Sequence, residues 1–191
     1  MGRRSSKDES EKSVYQKARE ALDLTRDLAS DLMVSVSPAQ IEKIESGKQL
    51  PQAYDILQMA AAYKRPELCN YFCTHECEIG KKSVPEIQLN ELPSIILETI
   101  ASLNDTMPLT NRLIEITRDG KISNNEIPDF VKIKYYLDKV SLAVDELNLW
   151  IEKTIGDEEI DAKMLALEEE KIKMLALEEE KIKMLDKKDN K

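Results

Sequence analysis

The run from Glu67 to Gly80, ELCNYFCTHECEIG, holds all three cysteines and the only histidine of the chain. Cys69 and Cys73 stand four apart, so a helix would carry both thiols on one face. If that helix ends near Thr74, the chain can turn back and bring His75 and Cys77 to the same place. Three thiolates and an imidazole suit tetrahedral zinc, and three cysteines also admit an iron–sulfur cluster. The spacing matches neither the paired C-x2-C of zinc fingers nor the usual cluster motifs. Three readings stay open: zinc held by Cys69, Cys73, His75 and Cys77, small buried thiols with His75 at the surface, or redox chemistry. His75 and a cysteine make a nucleophile–base pair on paper. No third residue to orient the base and no oxyanion site accompany them, so no enzyme is expected.

A second candidate is Asp119-Gly120-Lys121-Ile122-Ser123-Asn124-Asn125-Glu126. Laid on a calcium loop, Gly120 takes the sixth position and Glu126 the twelfth, with Glu115, Thr117 and Asp119 at the first, third and fifth. The first and third ligands are then the wrong types. A structural reading explains every residue: Gly120 ends one helix, Ser123 caps the next, and Glu126 closes a capping box.

The third candidate is a set of short polar side chains that only a docked helix could use. Its positioning elements lie in Thr25 to Pro51, TRDLASDLMVSVSPAQIEKIESGKQLP. One helical pattern opens on Thr25 as N-cap and places Leu28, Ala29 and Leu32 on one face. A second opens on Ser37 with Pro38 in its first turn, carries Ile41 and Ile44 inward, and stops at Gly47. Helices this short need neighbours, which the patterns Val14 to Leu22 and Ala53 to Tyr63 supply. A compact bundle presenting one short helix outward is a helix-turn-helix module.

Ile41, Ile44, Glu45, Gly47 and Pro51, followed by Ile56, Met59, Ala60 and Tyr63, resemble the Xre/Cro/CI-type helix-turn-helix proteins of bacteria and phages, over about residues 13 to 66. In that family a small alanine sits about ten positions before the residue matching Ile41. Here Asp31 falls at that spot, Ala29 is two residues farther, and the turn holds Met33, Val34, Ser35 and Val36 in place of a glycine. A longer turn that avoids positive φ is expected, because a non-glycine residue there costs on the order of 1 kcal/mol. The resemblance implies a sequence-specific transcriptional regulator that binds double-stranded DNA as a dimeric repressor. It also implies that Glu45 serves within the fold. Ala39, Gln40 and Lys43 would then face base edges, with Ser37, Arg26 and Lys48 on phosphates and Glu42 near the same surface. The other reading is a helical interaction or scaffold protein on the same fold that no longer binds DNA.

Charge narrows the partners. The chain has 191 residues and a net charge of −9, but residues 1–82 hold 13 basic and 13 acidic side chains, so the excess lies beyond them. Nucleic-acid binding must therefore come from a local cluster. No run reaches the roughly 18–20 apolar residues of a membrane span, and the cytoplasm is the expected setting. Few aromatics, at 5%, and many helix formers point to an all-α protein.

The expected order is an arm at 1–12, whose Arg3 and Arg4 could enter a minor groove, and the helix-turn-helix domain at 13–80. A linker follows at 81–90 around Pro85, then a helical dimerisation or sensing domain at 91–156 and a charged tail at 157–191. In the second domain, Leu92, Ile96, Ile100 and Leu103, with Ile95 and Thr99 continuing the seam on both sides, predict one well-buried helix, and Leu113 and Ile116 a shorter one. Phe130, Ile133, Leu137, Val140, Val144, Leu147 and Ile151 recur at steps of three and four, a heptad seam. A helix of about 28 residues, some 42 Å long, outreaches its neighbours. Its seam is expected to meet a second copy of the chain, with a folded-over three-helix bundle as the alternative and the C-terminal helices open to another protein partner. The tail repeats KMLALEEEKI at 163–172 and 173–182. Ten residues rotate a helix by about 1,000°, so no straight apolar stripe forms. A solvated helix or a disordered tail is expected.

Overall fold

The computed structural model describes residues 12–189, with side chains through 178. Among them there is no strand, as an all-α class requires. Arg3 and Arg4 lie outside the described residues. Contacts divide the chain into two compact units, residues 1–153 and 154–191, and the linker expected at 81–90 falls inside the first.

Five helices build the N-terminal core: α1 (Val14–Glu20), α2 (Arg26–Asp31), α3 (Pro38–Glu45), α4 (Ala53–Tyr63) and α5 (Glu67–His75). Their starts follow the sequence signals. The side chains of Ser13, Thr25 and Ser37 accept the N–H of Gln16, Leu28 and Gln40, removing one orphan donor from each helix. Gly47, at φ +70°, closes α3, with Lys48 N–H donating to the Lys43 carbonyl and Gly47 N–H to that of Ile44. Tyr15, Ala29, Val36, Ile41, Ile44, Ile56, Met59, Tyr63 and Leu68 fill the interior.

One expectation about α2 needs correction. Only Ala29 of its predicted face is buried, while Leu28 and Leu32 lie in solvent. Ala29 is fully enclosed and does the close-packing job of the small residue, whereas Asp31 is exposed at the helix end. The two additional residues belong to the turn.

After α5 the chain turns back into α6 (Gly80–Ser83), so the start of the expected linker is helical. Residues 84–91 are irregular but held: Asn70 of α5 donates from Nδ2 to the Pro85 carbonyl, and its Oδ1 accepts the Ile87 N–H. Next come α7 (Leu92–Thr106), a 3-10 turn (Met107–Leu109), α8 (Thr110–Ile116) and α9 (Ile127–Gly156). Ionisable neighbours fix the direction of α9: Asp129 faces Arg112, Lys139 faces Asp105, and Glu146 faces Glu98. It therefore runs antiparallel to α7 and reaches α5, where Glu152 stands near Cys69.

The inward faces of these helices are narrower than the predicted ones. On α7, Ile95 and Ser102 are buried, whereas Ile96, Ile100 and Leu103 are exposed. On α9 the heptad seam splits into two lines. Ile133 is buried, and Val140 and Leu147 are partly covered, beside buried Ala143 and half-buried Tyr136 and Trp150. Phe130, Leu137 and Val144 stay 37%, 44% and 45% exposed, while Ile151 is partly covered. Ile133 packs within the chain itself, so it is not available to a partner.

Between α8 and α9, Gly120 adopts φ +72°, and a single Glu126 oxygen accepts both the Ser123 N–H at 2.9 Å and its hydroxyl at 2.6 Å. Those two bonds hold the Glu126 carboxyl below its ordinary range. The Ser123–Glu126 link is one arm of a capping box, so this stretch is a helix start. In the second unit, α10 (Ala162–Asp189) is a continuous helix over the repeats, with Met164, Leu167, Ile172, Met174, Leu175 and Leu177 all exposed.

Candidate nucleic-acid interface

The outward helix is held by one carboxylate. Glu45, buried in α3, accepts Arg19 Nε at 2.6 Å and Nη2 at 3.0 Å, and Arg26 Nε at 2.9 Å. Three helices thus meet at a single side chain: Arg19 comes from α1 and Arg26 from α2. Burial by itself would lower the Arg19 guanidinium, but the hydrogen bonds and charge of Glu45 outweigh it and its pKa is raised. Glu45 therefore does serve within the fold.

Tyr63 lies against this network, wholly buried, and its hydroxyl finds no hydrogen-bond partner among the described residues. Burial, and then the charge of Glu45, push its phenol up. An unsatisfied buried hydroxyl costs about 1–3 kcal/mol. Tyr63→Phe is thus expected to leave stability unchanged or raise it by about 1 kcal/mol, read as the urea midpoint. A lowered midpoint would show that the hydroxyl is bonded after all.

The turn between α2 and α3 does without glycine because α4 braces it. Gln58 Oε1 accepts the N–H groups of Val34 at 2.7 Å and Ser35 at 3.0 Å, and its Nε2 donates to Ser35 Oγ at 2.8 Å. Ser30 Oγ donates to the Val36 carbonyl at 2.8 Å, and the Val36 side chain plugs the core. No residue from Leu32 to Ser37 has positive φ. Sequence reasoning missed Gln58, although a polar residue inside the otherwise apolar α4 pattern was a usable signal.

Each expected DNA-facing residue can now be placed. Ala39, Lys43 and Glu42 are exposed on α3, with Ser37 exposed at its start and Lys48 just past its end. Gln40 is half-buried, since its Nε2 donates to Asp55 Oδ2 at 2.9 Å, the oxygen that also accepts the Gln52 N–H opening α4. One N–H and the amide oxygen of Gln40 remain for a base. Arg26 gives its Nε to Glu45 while its side chain stays 38% exposed, so only its terminal nitrogens are free to meet a phosphate. The resulting surface has a small residue and an amide near the helix start, and Arg26, Lys43 and Lys48 around its other end. Glu42 is the one carboxylate exposed on the helix itself.

The cysteine–histidine set is not assembled. Cys69, Cys73 and Cys77 are free and half-buried, and Cys69 packs against the core. Burial, then Cys73 and Glu152, push the Cys69 thiol up, the opposite of what a thiolate ligand needs. Cys77 Sγ instead accepts the Gly80 N–H at 3.4 Å. His75 stacks on Tyr71 with ring centroids 4.4 Å apart, and its Nδ1 lies 2.8 Å from Thr74 Oγ1. Among the described residues no group of three or more His, Cys, Asp or Glu side chains could hold a metal ion. The chain does turn back after α5, as the zinc reading required, but the ring is drawn outward onto Tyr71. The donor set does not fit zinc.

Comparison with known families matches residues 16–68 to the family described as Helix-turn-helix. Neither curated proteins nor solved structures give a match. Among the described residues, no helix is long and apolar enough to cross a membrane.

Proposed function

Residues 16–68 belong to the helix-turn-helix family of the Xre/Cro/CI type, and from that premise we propose that the protein is a sequence-specific regulator that docks α3 in the major groove as a homodimer. It binds without chemistry, and the cytoplasm is the setting that suits it. The observation that carries the reading is the outward face of α3, where Ala39 and Lys43 are exposed together with Ser37 and Lys48 at its two ends. Lys43 reaches guanine acceptors or a phosphate, Gln40 offers its remaining amide atoms to adenine, and Glu42 can accept from cytosine N4.

Residues 16–68 carry seven basic and eight acidic side chains, so affinity rests on few phosphate contacts and a shallow salt slope is expected. A selection from random duplexes should return a two-fold site. On that site Lys43→Ala should weaken binding about 10-fold or more, in keeping with roughly 1–3 kcal/mol for a good contact. If the selection enriches no sequence, or if Lys43→Ala binds like the parent chain, the regulator reading fails.

The proposed dimer would use the uncovered line of α9, Phe130, Leu137 and Val144, which recurs every seven residues as a helix-pairing seam does. Leu137→Asp should convert the dimer to monomer in sedimentation while leaving helicity intact. A parent chain that sediments as a monomer at micromolar concentration would remove the dimer from the proposal.

A second reading has its own support. Leu28, Leu32, Val34, Tyr54 and Leu57 are all exposed on α2, the turn and α4, with Val34 at 89%. Exposed apolar side chains of this size suit a protein partner, which a regulator can hold as well as DNA and a scaffold could hold in its place.

A further inference from the structure

Between α6 and the middle of α9 lies an open groove of about 540 Å³, within the range of small-molecule sites. One wall is the strap Lys81–Pro85; the other is a single face of α9, where Tyr135, Asp138, Lys139 and Leu142 recur at i, i+3, i+4 and i+7. Three ammonium groups and one carboxylate line it, in a chain whose net charge is −9. The carboxylate, Asp138, is paired with Lys134 at 2.5 Å on the exposed rim and stays solvated there. Lys81 is shared with Glu78, a pair at the surface, and Lys139 faces Asp105 and lies 4.8 Å over the Tyr135 ring. Lys82 makes no ion pair among the described residues, and Ser141 adds a hydroxyl to the rim. Val84, Pro85, Leu142 and the ring of Tyr135 supply an apolar floor beside these charges.

We propose that this groove binds a small organic phosphate monoester with a flat, apolar body, its phosphate held by Lys82 and Lys139 and its body laid on Pro85, Leu142 and Tyr135. Ammonium groups on flexible stems suit a compact dianion, and no arginine lines the groove to grip a planar carboxylate bidentately. The strap is tied to α5 by contacts within the chain. Asn70 grips it at Pro85 and Ile87, and Gly80, pressed against the Cys73 backbone, anchors its start. An occupant would sit beside the strap that Asn70 ties to α5, the helix following the DNA-facing elements.

Calorimetric titration of the full chain tests this with phenyl phosphate, inorganic phosphate and phenol as probes. Phenyl phosphate is expected to bind at submillimolar concentration, at least 10-fold more tightly than either fragment, at one site per chain. The double variant Lys82→Ala/Lys139→Ala should lose at least 10-fold, and Lys82→Arg should keep most of the affinity. Lys121→Ala, which removes an exposed lysine outside the groove, should change nothing. An unchanged melting temperature for the double variant separates lost binding from lost fold. Equal affinity for phenyl phosphate and phosphate, equal affinity of the double variant and parent, equal loss in Lys121→Ala, or no heat at millimolar probe would each overturn the site. None of these outcomes depends on DNA binding.

Discussion

Replacing Glu45 by alanine should cost the N-terminal unit about 3–5 kcal/mol of stability, the largest loss expected from any single charged residue of the chain. The reason lies in what stays behind. Arg19 and Glu45 are both nearly excluded from solvent, and Arg19 has committed two nitrogens to this carboxylate and Nη1 to the Leu24 carbonyl. Removing the carboxylate leaves a buried guanidinium whose remaining counter-charge is the partly solvated Glu20, 3.6 Å from Nη2 and outside hydrogen-bond range. Small domains are stable by only about 5–15 kcal/mol, so the variant should unfold at much lower urea, or not fold at 37 °C.

Two comparisons separate this account from a simple loss of packing. Arg26→Ala removes a partner that is partly solvated, and exposed ion pairs contribute roughly 0.2–1 kcal/mol, so it should shift the midpoint only slightly. Arg19→Met combined with Glu45→Leu removes both charges and keeps volume, and such exchanges are often neutral or stabilising. Recovery in the double variant, set against collapse in Glu45→Ala, would establish the buried charge as the cause. A Glu45→Ala midpoint within about 1 kcal/mol of the parent would mean that water reaches Arg19, contrary to its burial.

The helix-turn-helix core was readable because its signals are local. The caps at Thr25 and Ser37, the stop at Gly47 and the inward pair Ile41 and Ile44 act within one or two helical turns, so residue type and spacing suffice. What escaped is what joins segments distant in sequence. Gln58 bonds the turn from 23 and 24 residues away, and nothing local to Val34 or Ser35 announces a brace. Arg26 looked free beside an open helix start, yet its partner lies 19 residues on.

Periodicity has a related limit. The heptad pattern of α9 correctly gave a long helix with an apolar face, but a face as broad as Phe130 to Ile151 can be shared between two neighbours. Covering by the chain's own helices runs along Ile133, Val140 and Leu147, which leaves Phe130, Leu137 and Val144 outside. The same ambiguity narrowed the face of α7, where Ile95 of the broad predicted seam faces inward and Ile96 and Ile100 do not. For the cysteines, spacing specified which side chains a turn could gather, whereas the aromatic face of Tyr71 decided where His75 went.

The second large effect is expected at Gly80, a residue that carries no chemistry. A Cβ built there would stand 2.2 Å from the Cys73 carbonyl oxygen and 2.7 Å and 2.9 Å from the Cys73 carbonyl carbon and Cα. Those are backbone atoms of α5, so no rotamer change can relieve the clash, and α6 must move bodily away. Gly80→Ala should therefore cost about 3 kcal/mol, the upper part of the usual range for overpacking. Gly120 supplies the contrast. A Cβ there meets nothing within 4 Å, and only its φ of +72° disfavours a side chain, so Gly120→Ala should cost about 1–2 kcal/mol. The two variants should also differ in reach. Displacing α6 strains the Cys77 Sγ contact and the Asn70 grip on Pro85 and Ile87, so hydrogen exchange should quicken across residues 70–87 in Gly80→Ala and stay unchanged there in Gly120→Ala. If Gly80→Ala melts with the parent and keeps its protection, α6 does not press on α5, and the strap beyond it is not anchored at its start.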